Sequence, residues 1–383
     1  MSLEFSLSDD QRNFVEVARD FAAKKLEPGY RVRDETGVFS RELTLEMGAL
    51  GFIAPEQSEK FGGSNVDYLT SGLVMEALAG RDFNMAYVQL LGSLNSQILQ
   101  RYANAQVADQ WIPKICAGEV ILGVALTEPG GGSDAANLQL QAKKVDGGYK
   151  LSGEKASISM ADQADIMIVF ARTGKRESRA KGVSAFLVEM KSEGISTNRY
   201  ADMGQKSIGR GSIFFDDVFV PDCHRLGDEN KAFSQVMEGF DFSRALIGLQ
   251  CLSVAEQSLN ETWNYVQQRS AFGKPISDNQ GVTFPLAEAQ TQLEAAKLLC
   301  YKTLWLKDQN LPHTSEAAMC KWWAPKLSFD IVHQCLLMHG HGGYGQDYPF
   351  EQRLRDVLGL QIGDGTAQIM KMVIAREKLG ENQ

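Results

Sequence analysis

The chain has 383 residues, 44% of them hydrophobic and 23% charged, a composition that allows two or three domains with substantial cores and needs no membrane to fold in. Its 48 acidic residues against 39 basic ones leave a formal charge of -9, with no run of Lys and Arg, which argues against nucleic acid as a partner. An anionic small ligand is not excluded, because a few placed arginines or a helix N-terminus can hold one.

In chain order, Met1–Arg12 carries acidic residues early and no apolar core, so no secretory leader is expected there. Phe14, Ala18, Phe21 and Ala22 recur at helical spacing, as do the apolar residues of Leu43–Leu50 and Tyr68–Ala79, with Pro55 and Gly62-Gly63-Ser64 as punctuation. Residues 1–120 therefore read as an N-terminal helical domain. From 121 to 229 the texture changes to short β-like runs at Ile121–Leu126, Tyr149–Leu151, Ile166–Ala171, Ser184–Met190 and Ile213–Val220, separated by turn signals such as Asp146-Gly147-Gly148. From 230 to 383 the helical period returns, with Leu286, Leu293, Ala296, Cys300 and Leu304 marking one face. Strands gathered in one block, without regular alternation with helices, give an α+β chain that is mostly α and not a doubly wound sheet. No stretch approaches the roughly 20 apolar residues a transmembrane helix needs, so no membrane insertion is expected.

Six scattered cysteines without a CxxC pair argue against a zinc site and a disulfide framework, and read as reduced core thiols of a cytoplasmic protein. The five histidines form no HExxH-like set. Gly340-His341-Gly342-Gly343-Tyr344-Gly345 satisfies GxGxxG, but Ile331–Met338 before it reads as the end of a helix. A dinucleotide fingerprint needs a strand there. The glycines read instead as a tight loop whose N–H groups meet a phosphate or a neighbouring subunit, a plain helix C-cap being the alternative. Asp364, between Gly363 and Gly365 and followed by Thr366 and Gln368, is a candidate general base just before a helix at Ile369–Glu377. The competing reading is a capped helix start, with Asp364 or Thr366 as the N-cap.

Four segments combine: Leu126-Thr127-Glu128-Pro129-Gly130-Gly131-Gly132-Ser133-Asp134, Phe240-Asp241-Phe242-Ser243-Arg244, Arg269-Ser270-Ala271-Phe272-Gly273-Lys274-Pro275-Ile276, and the glycine loop leading to Asp364. Their order and spacing resemble the acyl-CoA dehydrogenase family over essentially the whole chain. The resemblance implies an N-terminal helical domain, a middle β-barrel-like domain and a C-terminal four-helix bundle. It implies FAD as cofactor, with Leu126, Thr127, Gly132, Ser133, Ser157, Ser159, Thr366 and Gln368 near the flavin. Arg269, Phe272, Gln280, Leu337, Gly340 and His341 would meet FAD across a subunit interface, which implies a homotetramer. Asp241, Arg244, Gly365, Arg376 and again Ser133 would hold an acyl-CoA. Asp364 would take the proton from Cα while hydride passes from Cβ to flavin N5, and electrons would leave through an electron-transfer flavoprotein.

Three positions depart from the family pattern. Aspartate stands at 364 where most relatives have glutamate, serine at 157 where many have tryptophan, and leucine at 337 where a glutamine is common. The shorter base and the space beside it suggest a cyclic or branched acyl group such as cyclohexanecarboxyl-CoA. A flavin oxidase of the same fold, resembling nitroalkane oxidase, and a catalytically silent flavoprotein are the other readings.

Overall fold

The computed structural model describes residues 6–233 and 239–380. Helix α1, Asp9–Phe21, starts where Ser8 and Gln11 cap each other reciprocally, and it presents Val15, Ala18 and Phe21 to the core. Next come α2, Tyr30–Thr36, α3, Arg41–Ala49, α4, Tyr68–Ala79, α5, Phe83–Tyr102, and α6, Ala105–Cys116. The first seven residues of α5 and most of the rest are buried, including the polar Asn84, Gln89, Ser93, Asn95 and Ser96. A helix buried all round forms the middle of its domain. Each of these polar side chains makes at least one hydrogen bond, as where Asn95 donates to Leu122 O at 2.7 Å.

The middle of the chain forms one eight-stranded sheet from β1, Leu122–Ala125, β2, Gln141–Val145, β3, Gly148–Ser159, β4, Ile166–Arg172, β5, Val183–Glu189, β6, Ile195–Arg199, β7, Arg210–Pro221, and β8, Arg225–Leu226. The order is β6-β7-β3-β2-β4-β5-β8, with β1 parallel to β4 from Leu122 opposite Ile166. Strand β4 is buried at every position, which accounts for its unbroken apolar run. Strands β2 and β6 were not legible in the sequence. Their segments, Gln-Ala-Lys-Lys-Val and Ile-Ser-Thr-Asn-Arg, are mostly exposed and have too few apolar residues to show an alternation.

Four long or terminal helices form the C-terminal bundle: α7, Phe240–Gln268, α8, Gln280–Asp308, α9, Thr314–Met338, and α12, Ala367–Leu379, with α9 packed against the other three. Between α7 and α8 lies a small hairpin of β9, Ser270–Ala271, and β10, Lys274–Pro275. Short α10, His341–Tyr344, and α11, Phe350–Ile362, fill the stretch between α9 and α12. The architecture is the expected mostly helical α+β arrangement around a central mixed sheet. Among the described residues no helix is long and apolar enough to cross a membrane.

The three parts of the chain meet at Asp356 of α11, which is fully buried. Its carboxylate accepts from Tyr30 Oη at 2.8 Å, from Asn84 Nδ2 at 3.2 Å and from the amide of Gln205, so it joins α2, α5 and the loop before β7. Just before it in the same helix, Arg355 reaches Asp34 at 2.7 Å and Arg353 reaches Glu261 at 2.7 Å. Burial pushes the Asp356 carboxyl up to about 7, against the pull of its donors.

Asp356→Asn replaces one acceptor oxygen by an N–H group that must face a donor, so it is expected to cost about 1–3 kcal/mol in denaturant unfolding. The pH trend has a definite sign: with a folded pKa near 7 against about 3.9 in the unfolded chain, the contribution of Asp356 is full below about 3.9 and is lost as pH rises through about 7. The stability gap between parent and Asp356→Asn should therefore narrow from about pH 4 to about pH 7. A gap that stays constant or widens would contradict this.

Candidate functional site

Asp364 lies in the turn between α11 and α12. Gly363 is extended, and then Asp364 at φ 55° and Gly365 at φ 100° take two successive left-handed conformations. Aspartate tolerates that region better than most residues, and at Gly365 an added Cβ would meet Met370 Cε at 2.7 Å. The N-cap of α12 is Thr366, whose Oγ accepts from Ile369 N at 3.4 Å. Of the two capping alternatives, the structure therefore gives the role to Thr366. The Asp364 carboxylate accepts no hydrogen bond among the described residues, so it is left for chemistry.

Three buried side chains from three helices surround it. Arg244 of α7 donates to Asp241 Oδ1 at 2.6 Å, and Thr314 Oγ donates to the other Asp241 oxygen at 2.6 Å. Both members of this pair are buried, so it is no surface ion pair. Burial lowers the pKa of Arg244, with Asp241 and then Asp364 opposing that shift, and its Nε is a buried donor without a partner among the described residues. Tyr87 of α5 donates to Ser159 Oγ at 3.3 Å, and burial together with the nearby Asp364 pushes its hydroxyl up to about 12, so it stays a donor. Lys321 of α9 donates to Leu360 O at 2.6 Å and to Gly365 O at 3.1 Å. Sequence reasoning missed Tyr87 and Lys321. For Lys321 a signal was present, because it shares the spacing of Ala317, Ala324 and Ser328 on the core face of α9, where a charge is out of place.

On the sheet side, the segment with Leu126 and Thr127 is fixed from beneath. Lys155 is fully buried and donates to Leu126 O at 3.0 Å and Glu128 Oε1 at 2.8 Å, while Glu128 also accepts from the amides of Gln139 and Leu140. Burial lowers Lys155 to about 8, with Glu128 opposing. Ala156 N donates to Thr127 O at 2.9 Å, which ties this loop to a register break in β3 where Ser157 stands at φ 57°. Gly131, Gly132, Ser133 and Ser157 are exposed beside it. At Gly131 an added Cβ meets nothing within 4 Å, and at Gly132 only the side chain of Thr127. The result is an open polar shelf of Thr127, Gly132, Ser133, Ser157 and Ser159, with Tyr87 bonded to Ser159 and close enough to Asp364 to feel its charge. Such a shelf fits the flat, polar ring system of a flavin.

The remaining expected residues face solvent in a single chain. Arg269, Phe272 and Gln280, in and after the hairpin, are exposed, Phe272 completely. Leu337, Gly340 and His341 at the glycine loop are exposed as well. The two groups share one end of the bundle, because Tyr265, whose carbonyl accepts from Arg269 N, stacks on His339 at 4.0 Å. Helix α9 ends directly before the loop, where Gly340 N donates to Leu337 O, so the GxGxxG lettering follows a helix and is no dinucleotide fingerprint. Gln368 and Arg376 lie exposed on α12. All six cysteines are free and five are buried, and no metal-binding cluster occurs among the described residues.

Comparison with known proteins agrees with this geometry. The acyl-CoA dehydrogenase N-terminal domain matches residues 8–119, the middle domain 123–218 and the C-terminal domain 230–379. The chain is 34% identical to the caffeyl-CoA reductase-Etf complex subunit CarC of Acetobacterium woodii, over 96% of this chain and 98% of that one. The solved structure of butyryl-CoA dehydrogenase from Megasphaera elsdenii superposes with a TM-score of 0.95 at 33% identity, covering 98% of this chain and 100% of that one. The structure of PigA with FAD and proline superposes with a TM-score of 0.95 at 27% identity, covering the whole of both chains. With all three domains matched, the chain belongs to the acyl-CoA dehydrogenase family of FAD-dependent enzymes.

Proposed function

We propose that this chain dehydrogenates an acyl-CoA thioester between Cα and Cβ, with Asp364 as the base. The observation that carries the reading is the uncapped Asp364 carboxylate, presented by two left-handed residues and surrounded by Tyr87, Arg244 and Lys321. Leu126, Thr127, Gly132, Ser133, Ser157 and Ser159 would hold the flavin ring, with Thr366 and Gln368 beside the turn. Bound FAD supplies the hydride acceptor. The chain's own residues would remove the Cα proton, and the amide of Asp364 would donate to the thioester oxygen as it gains charge when that proton leaves. Asp241 and Arg244 would orient the CoA thioester, with Gly365, Ser133 and Arg376 also on its path.

The substrate reading follows from side-chain length. Aspartate withdraws the carboxylate by about one C–C bond, and a misplacement on the order of 1 Å can cost about 10²-fold, so the acyl group must come closer. Gly363 and Ser157 leave room for it, which favours a ring or a branch such as that of cyclohexanecarboxyl-CoA. An electron-transfer flavoprotein is the proposed acceptor, supported by the Etf complex named for the relative CarC. A homotetramer is proposed because Arg269, Phe272, Gln280, Leu337, Gly340 and His341 sit ready on the surface to meet a neighbouring chain's FAD. The free, mostly buried cysteines accord with a cytoplasmic setting.

Anaerobic addition of cyclic and linear acyl-CoA esters to the yellow protein should bleach the flavin, fastest with a ring or branched acyl group, and Asp364→Asn should slow bleaching by on the order of 10²–10⁴-fold. Peroxide release on nitroethane with no response to any CoA ester would assign the oxidase chemistry instead. For the assembly, Phe272→Asp should elute smaller than the parent in gel filtration and retain less flavin. An unchanged elution volume and flavin content would remove the hairpin from the interface.

A further inference from the structure

Lys321 has no part in the reaction as described, yet its ammonium lies beneath the turn that performs it. It is 1% exposed, on the core face of α9. Burying an ammonium is costly unless its donors are satisfied, and burial lowers the pKa of this one. No carboxylate lies within ion-pair distance among the described residues. Instead the group donates to Leu360 O at 2.6 Å and Gly365 O at 3.1 Å. The first acceptor is a carbonyl in the last turn of α11, left without an intrahelical partner, where a cation also meets the negative end of the helix dipole. The second is the carbonyl that directly follows Asp364. One side chain thus joins both ends of the turn that holds Asp364 in its left-handed conformation. The other titratable groups facing this place are Tyr87 from α5, itself near Arg210 of β7, and Asp241, Arg244 and Cys251 from α7. Asp364 and Cys251 favour the charged form of Lys321, while Arg244 opposes it.

We infer that Lys321 is a positioning residue for the base: its ammonium, bonded to the carbonyls at both ends, fixes the 360–365 turn that presents Asp364. The inference rests on the assignment of Asp364 as base. The hydrogen bonds and the charge can be separated, because Lys321→Gln keeps a donor for the carbonyls without the charge, whereas Lys321→Met keeps only the length. Lys321 touches no reacting atom, so its signature is a slower chemical step at unchanged acyl-CoA affinity, reversed in part by a variant that keeps a donor.

The test measures flavin reduction by acyl-CoA in the holoenzyme, for the parent, Lys321→Met, Lys321→Gln and Asp364→Asn. A second readout is the dissociation constant of the acyl-CoA, taken from the concentration dependence of the same reduction. Lys321→Met should reduce flavin on the order of 10²-fold more slowly. Its flavin content and acyl-CoA dissociation constant should stay at the parent values, so that the loss falls on the chemical step. Lys321→Gln, which keeps a donor for the carbonyls, should recover part of the rate. If Lys321→Met does not fold, Lys321→Gln carries the test: its shorter donor should still slow the chemical step at an unchanged dissociation constant, and a loss that falls on acyl-CoA affinity instead overturns the inference. A dead Asp364→Asn beside a parent-like reduction rate in Lys321→Met overturns this inference and leaves the base assignment standing. An Asp364→Asn that bleaches at the parent rate overturns both.

Discussion

The fold depends on one buried carboxylate more than on any single apolar contact. Asp356 accepts hydrogen bonds from the N-terminal helices, from the loop that feeds β7 and, through its carbonyl, from Gln205 Nε2 at 2.7 Å, while its own helix belongs to the C-terminal part. Apolar surfaces can slide over one another at little cost, but a carboxylate with three aimed donors has one geometry. The register it imposes reaches the site directly. Asp356 and Asp364 lie eight residues apart, on α11 and in the turn that ends it, so fixing one end of the helix against the other two parts fixes where the other end delivers its carboxylate.

The second organising element is a buried cation under each half of the site. Lys155 holds the backbone of Leu126 and Glu128 from within the sheet, and Lys321 holds Leu360 and Gly365 from within the bundle. In both, an ammonium satisfies main-chain carbonyls that would otherwise be orphaned in loops with no ladder to join. The difference lies in the counter-charge. Glu128 pairs with Lys155 at 2.8 Å, so that half is closed electrostatically. Among the described residues Lys321 has no such partner, and its ammonium is spent on main-chain carbonyls alone.

Much of this was legible in the sequence. The helix at Tyr68–Ala79 coincides with the observed element, and the runs at Ile166–Ala171 and Ser184–Met190 fall on β4 and β5, because buried strands and helices leave strong periodic patterns. The motifs around Thr127, Asp241 and Asp364 were visible because glycines and isolated charges stand out. The polar strands β2 and β6 were hidden, since their place in the sheet is set by neighbours and not by their own composition. Tyr87 was hidden for another reason: an aromatic residue in a helix buried all round looks like packing until Ser159 is seen at its hydroxyl. The choice between Asp364 and Thr366 as the cap also needed backbone angles, which no residue pattern supplies.

The complete exposure of Phe272, beside Arg269 on a hairpin that carries little of its own chain's core, bears on how the protein behaves at different concentrations. If this hairpin completes a neighbour's cofactor site, holding the cofactor and associating are linked equilibria, and each raises the apparent strength of the other. Dilution then sheds cofactor as well as subunits, and added cofactor restores assembly. The amount of working enzyme would rise more steeply than the amount of chain, so that synthesis rate sets activity in a nonlinear way.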